Sequence, residues 1–178
     1  MKKFFTFCLV IFLNLGFVVT LVQAQTKPAG GSKAATNGHV MVKPSEIQWM
    51  AGPVSLPEGA RVAIIEGDPA KPGPFTMRLI LPPNYIIMPH YHPGIEHVTV
   101  LEGEFYMGHG NTYDQTKGSM LAAGGFAVMP AKFNHFAFTK NKQAVLQLHG
   151  IGPWEIVYLD QANDPRKKKA TPNKSNPK

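Results

Sequence analysis

The chain has 178 residues, 44% of them hydrophobic, with 17 Gly, 16 Pro, one Cys and a formal net charge of +7. That length fits one domain with its ends, and the Gly and Pro content argues for frequent turns rather than long helices. The positive charge sits at the two ends, because residues 25 to 164 hold ten basic side chains against eleven acidic ones. A nucleic-acid reading would therefore rest on the C-terminal tail alone, and no nucleic-acid partner is expected.

Lys2 and Lys3 open the chain, Phe4 to Val22 is nearly all apolar, and Val22-Gln23-Ala24 precedes Gln25. A positive start, an apolar run and a small-x-small site form the pattern of a secretory signal peptide over residues 1–24. The rival is an uncleaved membrane anchor, since about 20 apolar residues can span a bilayer. Asn14, Gly16 and the cleavage site favour removal. The expectation is an exported protein, periplasmic or extracellular, with no stable membrane insertion afterwards. Cys8, the single cysteine, lies inside this leader. The mature chain then has no thiol, which excludes disulfides, cysteine-based zinc sites, thiol catalysis and iron–sulfur clusters. Residues 25–39 are rich in Lys, Ala, Gly, Ser and Thr without apolar periodicity, as in a disordered spacer.

From residue 40 to 164 short apolar runs alternate with Pro/Gly turns. The predicted strands are Val62–Glu66, Phe75–Leu81, Tyr85–Met88, Ile95–Leu101, Glu104–Gly108, Phe126–Met129, His135–Thr139, Ala144–His149 and Glu155–Leu159. Turn signals such as Pro82-Pro83-Asn84, Pro93-Gly94 and Gly124-Gly125 separate them. Many short strands at such spacing point to an antiparallel sandwich or barrel. Only Thr116 to Leu121 looks able to form a helical turn. On the strand holding Ala144 to His149, Val145, Gln147 and His149 share a face. Those polar groups face either a cavity or solvent. His39 and His109 flank loops and are expected to be exposed. The basic tail, residues 165–178, reads as a disordered end that the domain can lose without losing metal.

The chemistry gathers in Pro89-His90-Tyr91-His92-Pro93-Gly94-Ile95-Glu96-His97. His90 and His92 are two apart, so on an extended strand both imidazoles leave the same face. Glu96 can join them beyond the Pro93-Gly94 turn. Two imidazoles and a carboxylate on one face are the makings of a divalent metal site. About forty residues later, Gly124-Gly125-Phe126-Ala127-Val128-Met129-Pro130 leads to a further imidazole, His135.

At these residues the sequence resembles the cupin superfamily, in the form of a small single-domain exported cupin. The first cupin motif is G-x5-H-x-H-x3,4-E-x6-G, and His90, His92, Glu96 and Gly103 match it, with Asn84 in place of the leading glycine. The second is G-x5-P-x-G-x2-H-x3-N, and Gly124, Pro130 and His135 match it. Lys132 and Thr139 replace the usual glycine and asparagine. The resemblance spans roughly Val40 to Asp160. It implies an all-β fold, a cupin jelly-roll barrel. It also implies one divalent transition metal (Fe, Mn, Ni, Cu or Zn) held by His90, His92, Glu96 and His135. His97 is a rival ligand at the longer motif spacing, although strand alternation puts it on the face opposite Glu96. A degenerate cupin whose histidines merely pack is the bland alternative.

Such a site resembles those of cupin dioxygenases acting on flavonols and related enol or diketone substrates. The functional expectation is a metal-dependent oxidoreductase for a small enol, diketone or polyphenol, with Glu96 as ligand or catalytic base. The alternative is a non-catalytic module that binds or senses a small ligand. A hydrolytic triad has no support, since no G-x-S-x-G elbow and no mature cysteine exist. Small cupins commonly pair through their sheets. Trp49, Phe75 and Trp154 are candidates either for such a homodimer interface or for filling the barrel ends.

Overall fold

A computed structural model describes residues 39–168. The leader expected over residues 1–24, the spacer up to residue 38 and the tail beyond residue 168 lie outside the described residues. In chain order the strands are β1 (Met50–Ala51), β2 (Arg61–Glu66), β3 (Gly73–Leu81), β4 (Ile86–Tyr91), β5 (Glu96–His109), β6 (Ser119–Ala122), β7 (Phe126–Met129), β8 (His135–Phe138), β9 (Ala144–Gly152) and β10 (Val157–Tyr158). One short helix, α1 (Pro165–Lys168), follows.

Every pairing is antiparallel, and the strand order is β1-β2-β3-β9-β5-β8-β4-β10, with β6 and β7 also pairing with β5. β5 is the spine. Its first half pairs with β7 and β9, and its second half with β6 and β8. One strand thus belongs to two sheets, which curl around a shared interior as an all-β cupin barrel.

Alternation explains what fills it. Phe75, Met77, Leu79 and Leu81 of β3 point inward, as do Leu146 and Leu148 of β9 and Val98 and Val100 of β5. Each such side chain contributes about 1.5–3 kcal/mol by leaving water. β5 changes sheet where its register against β9 slips, between Val100 and Glu102. Gly103 follows at φ +79°, and a Cβ there would collide with the Gln143 carbonyl. A β-bulge of this kind bends a strand without ending it. The two strands expected at Ile95–Leu101 and Glu104–Gly108 are therefore one.

Other expectations shift for local reasons. The helical turn expected over Thr116–Leu121 contracts to a 3-10 turn, Gln115–Lys117, whose entry is capped by the Asp114 carboxylate accepting from Thr116 N–H. Ser119–Ala122 is instead a strand against Glu104–Met107. Leu146 and Leu148 take the inner side of β9, so Gln147 and His149 lie on the outer side, opposite Thr99 and His97. Arg78 Nε donates to Gln147 Oε1 at 3.1 Å. The cavity-facing alternative for Gln147 and His149 is thereby excluded. His39 and His109 are exposed. Phe75 and Trp154 pack on each other, with ring centroids 5.5 Å apart. The stretch expected as a disordered tail begins with α1, tied back to the barrel by Arg166.

Candidate metal centre

β4 carries His90 and delivers His92 one residue beyond its end. β8 runs antiparallel to β4 with His135 directly opposite His90. The turn at Pro93-Gly94 then starts β5, whose inward face begins with Glu96 and continues with Val98 and Val100. One strand end and two strand starts thus bring together the four side chains that the motifs singled out. They are between 2% and 5% exposed.

The donor atoms of His90, His92 and His135 all lie within 4.8 Å of one another. Glu96 adjoins this cluster: Oε1 is 3.6 Å from His92 Nε2 and Oε2 is 3.3 Å from His135 Nε2. His97 is elsewhere. It stacks on His149 on the outer side of the sheet, with centroids 4.6 Å apart and planes 7° from parallel.

Each imidazole of the cluster is anchored through its other nitrogen. His90 Nδ1 meets the Met88 carbonyl at 2.7 Å, His92 Nδ1 meets the Glu155 carbonyl at 2.7 Å, and His135 Nδ1 meets the Phe133 carbonyl at 2.9 Å. A carbonyl only accepts, so Nδ1 carries the proton in all three rings. Nε2 is then a bare lone pair in each neutral ring. His92 Nε2 and Glu96 Oε2 are buried without any hydrogen-bond partner. Three lone pairs and a carboxylate, facing one another away from water, are short of positive charge. A metal ion fits that deficit, and metal-ligating imidazoles are commonly anchored in this way by a carbonyl on the other nitrogen.

Electrostatics agree. Burial pushes His90 well below the ordinary histidine range, and the neighbouring His135 and His92 push it further. His92 is lowered as well, again chiefly by burial. Burial works against the Glu96 charge, but His92 and then His135 outweigh it, leaving the carboxyl below its usual range. His90 and His92 are thus held neutral and able to ligate at neutral pH.

A cavity of about 290 Å³ opens onto these groups. Its walls include Ile64, Met77, Leu79, Ile87 and Leu148, with His90, His92 and Glu96 at one side. Pro53, Ser55, Leu56, Asp68–Ala70, Trp154–Ile156 and Arg166 complete the lining. A larger groove of about 760 Å³ runs between residues 51–60 and β4, and none of the four motif residues lines it. The smaller cavity is the one that holds chemistry.

Sequence reasoning missed three contributors. Trp154 stacks on His92, Glu155 supplies only its backbone carbonyl, and Arg166 belongs to a tail read as unstructured. Asp164-Pro165 did carry a signal for Arg166, since an aspartate before a proline favours a helix start.

Two antiparallel sheets sharing one strand, with histidines from β4 and β8 meeting beside Glu96 of β5, define a cupin fold with a candidate metal site. The solved structures it matches include a polyketide cyclase, RemF, from Streptomyces resistomycificus, 17% identical, with 74% of this chain and 93% of that chain covered and a TM-score of 0.58. A candidate acetylacetone dioxygenase from Methylibium petroleiphilum PM1 is also 17% identical, with 71% and 85% covered and a TM-score of 0.54. A protein of unknown function with a cupin-like fold from Ralstonia eutropha JMP134 is 22% identical, with 59% and 61% covered and a TM-score of 0.48. At these identities the likeness is one of fold. No protein-family model matches the chain, and no curated protein sequence matches it.

Proposed function

We propose that the protein is an exported, metal-dependent oxidoreductase of dioxygenase type, acting on a small enol, diketone or polyphenol. The observation that carries this reading is the convergence of three proton-free Nε2 atoms with the Glu96 carboxylate adjoining, where His90, His92 and Glu96 line a cavity together with Met77, Leu79 and Leu148. Imidazole and carboxylate ligands suit iron, manganese, nickel, copper or zinc. Held by His90, His92, Glu96 and His135, such an ion supplies Lewis acidity, which lowers the pKa of an enol or phenol oxygen.

The chain's own groups do the rest. Leu148, Met77 and Trp154 bind a small, flat, apolar body and exclude water from it. Where Glu96 swings off the ion instead of ligating it, its carboxylate, held ionised, is placed to accept the proton that such a substrate loses on binding. Export rests on the leader pattern of Lys2, Lys3 and Phe4 to Val22.

Elemental analysis of the mature chain, residues 25–178, purified without a histidine tag or added metal, tests the first half. About one equivalent of a transition metal is expected. No metal, and no uptake on titration, overturns the reading. Dioxygen consumption with a panel of diketones and polyphenols tests the second half. A loaded protein that consumes none is a binding module instead.

A further inference from the structure

The peptide Trp154-Glu155-Ile156 lies between β9 and β10 and belongs to neither strand. Yet it touches the metal centre twice. The Glu155 carbonyl accepts from His92 Nδ1 at 2.7 Å, and the Trp154 ring stacks on the same imidazole at 4.0 Å. Something other than a sheet ladder must fix this peptide. On one side Trp154 N–H donates to the Pro69 carbonyl at 2.7 Å. On the other, Arg166 Nη2 donates to the Ile156 carbonyl at 3.2 Å.

Arg166 is itself held in place. Its Nε donates to Asp164 Oδ1 at 2.8 Å and to Oδ2 at 3.0 Å, and its backbone N–H donates to Oδ1 at 3.0 Å. Asp164 is only 3% exposed, so the carboxylate is a fixed post rather than a surface charge. Such charge-assisted bonds are among the stronger hydrogen bonds a protein makes. Arg166 also lines the cavity that His90, His92 and Glu96 line.

We propose that Asp164 and Arg166 form a clasp that fixes the Glu155 carbonyl against His92, and so sets the aim of that imidazole at the metal centre. Arg166 is a positioning residue, one bond removed from the ligand's own anchor. With Trp154 N–H and the Ile156 carbonyl both pinned, the Glu155 peptide between them cannot rotate. With Arg166 removed, one end is free and His92 Nδ1 loses a steady acceptor. The inference rests on the metal reading for its function but not for its geometry. It reverses the expectation that the chain beyond Asp164 can be removed without effect on metal.

The test uses the mature chain in metal-free form. Nitrogen-detected histidine NMR resolves the Nδ1–H signals of His90, His92 and His135. In Arg166→Gln the His92 signal is lost to solvent exchange, while those of His90 and His135 persist, because Met88 and Phe133 do not touch the clasp. Arg166→Lys keeps the charge without the planar fork and gives a smaller change of the same kind. It also serves as the test if Arg166→Gln does not fold. Zinc affinity, read by chelator competition, falls about tenfold in Arg166→Gln, as for other partners that orient a ligating imidazole. Equal loss of all three signals means general loosening and overturns the clasp, as does an unchanged His92 signal. A His92 signal that responds in a protein that takes up no zinc upholds the clasp and overturns the metal reading.

Discussion

Trp154 lies flat against His92, with ring centroids 4.0 Å apart and planes 13° from parallel. The indole fixes the tilt of an imidazole whose Nδ1 is already tied to the Glu155 carbonyl. Ring tilt and ring anchor thus come from one short peptide.

Removing the indole should loosen the ligand without dissolving the barrel. An aromatic pair of this kind contributes about 0.5–1.5 kcal/mol beyond its area. Trp154→Ala should bind metal about tenfold more weakly, while Trp154→Phe retains most of the affinity. Chelator competition reads both. Equal affinity in all three proteins would show that the stack positions nothing.

The histidines themselves should matter more. His92→Ala and His135→Ala each remove one of three converging lone pairs, and each should drop bound metal sharply in elemental analysis. Normal metal content in both variants removes the site from consideration. Glu96→Gln keeps the shape but replaces the negative charge with an amide. Its metal affinity should fall, because the neutral amide is a poorer ligand for a cation than the carboxylate.

Acid should destabilise the metal-free protein. His90 and His92 both titrate below the ordinary histidine value of about 6.5, chiefly through burial. The unfolded chain takes up protons that the folded one refuses, so this stability is complete above about pH 6.5 and is lost as pH falls toward the folded values. Glu96 acts in the same direction at lower pH. Its folded pKa is depressed, so its share is present above the usual carboxylate range and lost as pH falls through the folded value. Urea midpoints should fall between about pH 7.5 and about pH 5. Below pH 6.5 each proton that only the unfolded chain binds removes roughly 1.4 kcal/mol per pH step of one. A flat profile would mean that the rings are not buried as neutral bases.

Gly103 supports the strand that joins the two sheets. Its φ of +79° and the collision of any Cβ with Gln143 predict that Gly103→Ala costs about 2–3 kcal/mol, on the order of 10 °C in Tm. Gly110 has φ +114° and nothing within 4 Å of a Cβ, so Gly110→Ala should cost less. Thermal unfolding of the two variants compares strain plus collision with strain alone.

The local parts of this protein were legible in its letters. His90 and His92 at spacing two, Glu96 after a Pro-Gly turn and His135 after a proline turn each mark their own place on a strand. The structure brings all four together. What stayed hidden depends on distant pairing. Glu102-Gly103 reads as a turn until β9 is seen to slip past it, and only then does β5 become one strand. Gln147 and His149 could face either way, because their side is set by the leucines between them and the sheet opposite. Ser119–Ala122 has no strand signature beyond its partner, Glu104–Met107. Arg166 was obscured by the basic run around it, which by composition belongs to a solvated end.

All three clustered imidazoles are anchored by main-chain carbonyls, those of Met88, Glu155 and Phe133. None of these three anchoring bonds uses a side chain of Met88, Glu155 or Phe133. A saturation library at positions 88, 133 and 155 should therefore tolerate wide replacement while the centre survives, with proline the exception wherever the backbone path would move. Anyone re-engineering the cavity can start at Met88, which also borders the larger groove, because its anchoring group is main chain.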